Sequence, residues 1–274
     1  MVDKKFLGLQ RGEFEVAERV NTLASQTQFA IFVLSLGVLA FSSSLLQYLG
    51  SVINVLLVIL WQYRVIQYKR SHSLAERARR MVLLSEGLGI PIRGKQYSDV
   101  MMQFSSSGYK AKRFEDPYYY KAEGNPGEAK LAMMLLESAF WSKHLFNKSA
   151  TIQWAKSIAA LVFSLIGFLA LPLIENSEIL LLYVNTFCLL LIWLITGGTF
   201  STALQYSSAE RVIDDIKNRL EILIEEGADK DVLLLALGDY NAVMQATPII
   251  PTYIYLKYRD RLKKLWKTSY GSGS

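Results

Sequence analysis

The sequence predicts an all-α integral membrane protein, with four transmembrane helices in two hairpins and long cytoplasmic helical extensions. Three observations predict it. Ser157–Tyr206 has no Lys or Arg, and its two acids, Glu175 and Glu178, flank a short break at Leu171-Pro172 to Ser177. Phe29–Tyr63 has no charged residue at all. A bilayer core takes about 20 apolar residues per helix, and lipid obliges every backbone polar group to be satisfied within its own segment, so each run reads as a helical hairpin. The third observation is where the bases fall. Of the 30 Lys and Arg, 4 precede Gln28, 16 lie between Arg64 and Lys156, and 10 follow from Arg211, with none at either tip. The positive-inside rule then predicts both termini and the middle region in the cytoplasm and both tips outside.

Taken in order, residues 1–28 form a cytoplasmic N-terminal helix, in which Val16, Val20 and Leu23 recur at helical spacing among mixed charges. No short apolar core with a cleavage site occurs there, so no signal peptide is expected. Residues 29–68 form the first hairpin. Gln47-Tyr48-Leu49-Gly50-Ser51 is expected to divide it into Phe29–Leu46 and Val52–Tyr63, with Arg64 and Lys69 snorkelling to the interface. Residues 69–154 are cytoplasmic. A charged helix through Leu74–Leu84 is expected to stop at Gly87, Gly89 and Pro91, and Ile92–Asn125 shows no clear period. Asn125-Pro126-Gly127-Glu128 supplies a cap, a Pro at the first helical position and an early acid for a helix running to about His144. Residues 155–206 form the second hairpin. In the cytoplasmic region 207–270, a charged helix from Ser208 is expected to stop at Gly227. A short helix follows at Val232–Ala246, then a break at Pro248–Pro251, then a basic helix at Tyr253–Trp266. Residues 271–274, Gly-Ser-Gly-Ser, read as an appended cloning remnant. Ala-Glu-Arg recurs at 17–19, 75–77 and 209–211, which a duplicated two-helix unit would explain, as would the commonness of these helix formers.

Composition narrows the function. The chain of 274 residues is 51% hydrophobic with mean hydropathy +0.22, between soluble domains and all-membrane transporters. The net charge of +6 suits an acidic partner, and equally the cytoplasmic loops of any membrane protein. The single cysteine, Cys188, precludes an intrachain disulfide. His72 and His144 lack metal-ligand spacing to Cys or acids, and no phosphate loop, HExxH or nucleophile elbow is present. Neither an enzyme nor a cofactor is expected. Gly197-Gly198 inside an apolar run is explained by close helix packing.

Two constellations remain. At about 100° per residue, Asn185, Ile192, Thr196, Thr199 and Ala203 share one face, with Cys188 at its edge. This polar and small stripe would line water in an oligomer, or pack helices together through small residues. Glu175 and Glu178 would ring an outer mouth and favour cations. The second constellation is basic and aromatic. One segment holds Arg93, Lys95, Lys110, Lys112 and Arg113 with Tyr97, Tyr118 and Tyr119; the other holds Arg259, Arg261 and Lys264 with Tyr253, Tyr255 and Trp266. Cations hold phosphates while aromatic faces stack bases; the same composition suits an interface with anionic lipid.

The two hairpins, together with the tail Asp239-Tyr240, Gln245-Ala246-Thr247-Pro248-Ile249-Ile250-Pro251-Thr252-Tyr253-Ile254-Tyr255 and Arg259-Asp260-Arg261-Leu262, resemble the SMODS-associated four-transmembrane effectors of bacteria. The layout of the whole chain is similar, and the motif-level similarity is confined to this tail. Arg77–Phe114 departs from the family in length and content, which marks a divergent branch. The resemblance implies a pore-forming effector of antiphage defence in the bacterial inner membrane. It would be a homo-oligomer gated by a nucleotide or short oligonucleotide made by a partner nucleotidyltransferase. In the related Hailong-type arrangement such a product holds the channel shut, so either sign of gating is open. The alternatives from other classes are a membrane scaffold tethering a cytosolic partner and a small solute transporter.

Overall fold

The computed structural model describes residues 4–40, 43–105, 122, 124–169, 177–196, 198–227 and 229–271. Among the described residues there is no strand. The helices are α1 (Lys4–Ala40), α2 (Ser44–Leu88), α3 (Gly94–Gln103), α4 (Glu128–Leu169), α5 (Ser177–Thr196), α6 (Thr199–Glu226), α7 (Lys230–Ala246) and α8 (Thr252–Tyr270). Four stretches are long and apolar enough to span a membrane: Phe6–Leu39, Ser44–Leu88, Glu128–Ile166 and Ile179–Glu226. The protein is a multi-pass membrane protein with an all-α fold.

The chain divides into two compact units. The first gathers Met1–Glu18, Tyr68–Ser149 and Gln205–Ser274. Its core is built as amphipathic helices require, from apolar residues three and four apart. Leu131, Met134, Leu135 and Ala139 of α4 are fully buried, as are Ile213, Ile216 and Leu220 of α6. On α8, Ile254, Leu262 and Trp266 form the inward stripe. A separate cluster joins Phe6 of α1 to Leu74, Ala78 and Val82 of α2 and to Val100 of α3. The second unit, Arg19–Gln67 and Ala150–Leu204, has the opposite character. Its large apolar side chains point outward, with Phe163 78% exposed, a surface that lipid tolerates and water does not.

Three sequence expectations need correction. Gln47–Ser51 does not interrupt the hairpin but is helical, inside α2, which begins at Ser44. Gly50 is there for a different reason: a Cβ on it would lie 2.4 Å from Cγ2 of Val38, so the glycine lets α1 and α2 touch. The polar letters that suggested a turn are satisfied inside the helix, where the Ser51 hydroxyl donates to the Gln47 carbonyl at 2.8 Å. Second, α4 begins at Glu128 rather than at Pro126 and runs unbroken to Leu169. Third, the region expected to be irregular contains α3, whose Tyr97 stacks on Phe6 at 5.3 Å.

Two of the expected glycine stops, Gly89 and Gly227, lie just past helix ends, whereas Gly87 is inside α2, where a Cβ on it would meet Leu131 at 2.7 Å. Gly89 takes φ +71° just past α2, and the amides of Gly89 and Ile90 turn back to the carbonyls of Ser85 and Leu84. Gly227 takes φ +98° just past α6. An L side chain is strained in this region, and glycine is not.

Candidate functional site

Within the first unit, the segment between α7 and α8 acts as a strap. Thr247 ends α7 with its hydroxyl on the Val243 carbonyl at 2.7 Å. Pro248 and Pro251 then prevent helix across the gap, leaving the intervening backbone groups in need of partners. Side chains from three other helices supply them. The Ile249 amide donates to the Tyr68 hydroxyl of α2 at 3.2 Å. The Tyr206 hydroxyl of α6 donates to the Ile249 carbonyl at 2.8 Å. The Glu18 carboxylate of α1 accepts from the Thr252 amide at 2.7 Å and also from the Thr252 hydroxyl. Glu18, Tyr68 and Tyr206 stand at, or one residue from, the points where α1, α2 and α6 leave this unit.

The strap forms one wall of a cavity of about 440 Å³. Gln10, Arg11, Phe14, Glu15 and Glu18 line it from one face of α1; His72, Glu76 and Arg79 line it from α2; Leu145 and Phe146 come from α4, Met244 from α7 and Tyr255 from α8. Its floor is a buried polar cluster. Arg79 pairs with Glu76 at 2.6 Å. Its guanidinium also lies 4.9 Å over the Tyr240 ring and donates to that hydroxyl at 3.3 Å. Ser142 of α4 shares the same hydroxyl at 3.0 Å. His72 stacks flat on Tyr68, with ring centroids 5.6 Å apart. Burial, reinforced by the Arg79 charge, pushes the His72 pKa down to about 4, so the imidazole is neutral at physiological pH. Burial raises the Glu76 carboxyl in spite of Arg79 and Arg80.

The resemblance-bearing tail is thus spent on holding this unit together. Asp239 pairs with Arg219 at 2.9 Å, Tyr240 receives Arg79, Gln245 reaches Ser73 and Arg80, and Thr247–Thr252 is the strap itself.

The expected pore stripe is divided between two helices. Asn185, Cys188 and Ile192 belong to α5, half-buried, exposed and exposed respectively. The side chain of Thr196 lies outside the described residues, as do Glu175 and the side chain of Glu178. Thr199 and Ala203 belong to α6. Thr199 accepts a 2.7 Å hydrogen bond from Ser157 of α4, and Ala203 is fully buried. The α5–α6 junction needs a glycine, because a Cβ on Gly198 would lie 2.7 Å from the Trp193 carbonyl oxygen. Gly198 therefore permits a close approach that a Cβ would block, and Gly197 lies outside the described residues.

Of the expected ligand-binding residues, Arg93 and Lys95 are exposed at the start of α3 and Arg261 and Lys264 are exposed on α8, where Arg259 is half-buried beside Asp260. Lys110, Lys112, Arg113, Tyr118 and Tyr119 lie outside the described residues. α3 itself rests on α1 and α2 through Val100, Tyr97 and Met101, whereas α8 packs through Trp266 on Phe140 of α4. None of the five described bases lines the cavity. His72, Glu76, Arg79, Tyr68 and Tyr206 carry no local signal that would have marked them. The two helices they occupy, α2 and α6, meet only in the fold.

Fold and site together define an all-α multi-pass membrane protein with a strap-lined cavity in its charged unit. No protein-family model, no curated protein and no solved structure matches this chain.

Proposed function

We propose that this protein is the subunit of an oligomeric ion channel in the bacterial inner membrane, with both termini in the cytoplasm. In this reading it is an effector of antiphage defence whose opening depends on a nucleotide or short oligonucleotide. The observation that carries the reading is the strap. The tail that resembles the SMODS-associated effectors holds α1, α2 and α6 at Glu18, Tyr68 and Tyr206, at or one residue from where these helices leave the first unit. A ligand moves such an equilibrium only by binding its two states unequally, and a segment bonded to three helices at once gives it a place to do so. The exposed Cys188 and Ile192 and half-buried Asn185 supply a face of α5 for contact with water or with another copy.

Purified protein in planar lipid bilayers is expected to show discrete conductance steps that change on adding nucleotides. Asn185→Leu is expected to reduce the conductance and the growth arrest on expression without lowering protein level. A flat current under all conditions would sink the reading.

A further inference from the structure

The geometry points to the strap-lined cavity as a binding site for a small, uncharged, flat heteroaromatic molecule rather than for a phosphate group. Size comes first: about 440 Å³ lies within the range of small-molecule sites, roughly 300–1,000 Å³. The walls come next. Phe14, Phe146 and Tyr255 line the space, and aromatic faces favour a flat ring between or against them. His72, stacked on Tyr68 and with Nε2 3.8 Å from Glu76, adds a buried polar ring to the lining.

Charge then decides against an anion. The lining carries Glu15, Glu18 and Glu76 beside Arg11 and Arg79, so it offers an anion no net positive charge in a chain whose net charge is +6. Arg79 is taken by Glu76 and Tyr240, and Arg11 has a partner of its own. Phosphate recognition rests on charge-assisted bonds, and Arg79 would have to leave its ion pair with Glu76 to make them. An occupant would press on the strap, whose Ile249 amide and carbonyl are held by Tyr68 and Tyr206. Transmission through these bonds rests on the channel reading; the binding site does not.

The test is the thermal midpoint of the full chain in detergent, with adenosine, guanosine, cytidine and uridine at 1 mM, each beside its 5′-monophosphate and inorganic phosphate. At least one nucleoside is expected to raise the midpoint by about 2–4 °C, the shift for a ligand near tenfold its Kd in a chain of this size. Met244→Trp fills the cavity, and Phe14→Leu removes an aromatic wall while keeping bulk. Each is expected to weaken the response about tenfold in concentration, so one failing to fold leaves the other to decide. No shift with any nucleoside overturns the proposal. So does a shift that inorganic phosphate reproduces, or one that both variants retain. Nucleoside binding without any current would leave the site standing and sink the channel. Nucleotide-responsive current with an empty cavity would do the reverse.

Discussion

At the scale of residues, the buried polar cluster sets a pH dependence. His72 is held neutral by burial and by Arg79, whereas in the unfolded chain it protonates near its ordinary value of about 6.5. Between that value and about 4 the unfolded state binds more protons than the native one, so stability falls as pH falls through this window. The slope is on the order of 1.4 kcal/mol per pH unit for a fully depressed group. Glu76, raised by burial, works in the opposite sense, so the effect is isolated by comparison with His72→Gln. The variant is expected to lose less stability than the wild type as pH drops from 6.5 to 4.5, measured by chemical denaturation in detergent; equal losses would show that His72 does not contribute. None of this was legible in the sequence. A histidine four residues before Glu76 and seven before Arg79 reads as an ordinary charged helix face, and only the packing of α1, α4 and α7 around it reveals the burial.

At the scale of elements, legibility followed the physics of each signal. Helix stops at Gly89 and Gly227 were readable because a positive φ demands glycine at a particular place. The charge-free runs were readable because bilayer thickness sets a length. The first tip was misread because Gln47, Gly50 and Ser51 are turn letters in water, while inside α2 they serve helix contact and self-bonding. Further along α2, Asn54 donates to Ser35 of α1 at 3.0 Å, and Arg64, expected to snorkel outward, donates to the Leu23 carbonyl at 2.9 Å and to the Thr27 hydroxyl. The α1–α2 pair is thus tied at both ends and at its middle. Gly50→Leu is expected to destabilise the protein by about 1–3 kcal/mol through overpacking against Val38. Adding Val38→Ala is expected to recover most of the loss, since residues in contact are coupled. Additive effects in the two-by-two cycle would show that the helices do not meet there.

At the scale of the whole molecule, the charge asymmetry read from the sequence gives a topology that labelling can check. In a Cys188→Ser background, Glu175→Cys is expected to react with a membrane-impermeant maleimide on intact spheroplasts, and Ser269→Cys only after lysis. The reverse pattern would invert the protein in its membrane. The strap has a consequence for how the molecule could be disabled. Its hold on three helices is made largely through main-chain atoms of Ile249 and Thr252, which side-chain replacement at Ile249 leaves in place. A one-residue deletion or a proteolytic nick between Thr247 and Thr252 would instead break the bonds to α1, α2 and α6 in a single event. The strap therefore tolerates substitution far better than a change in chain length.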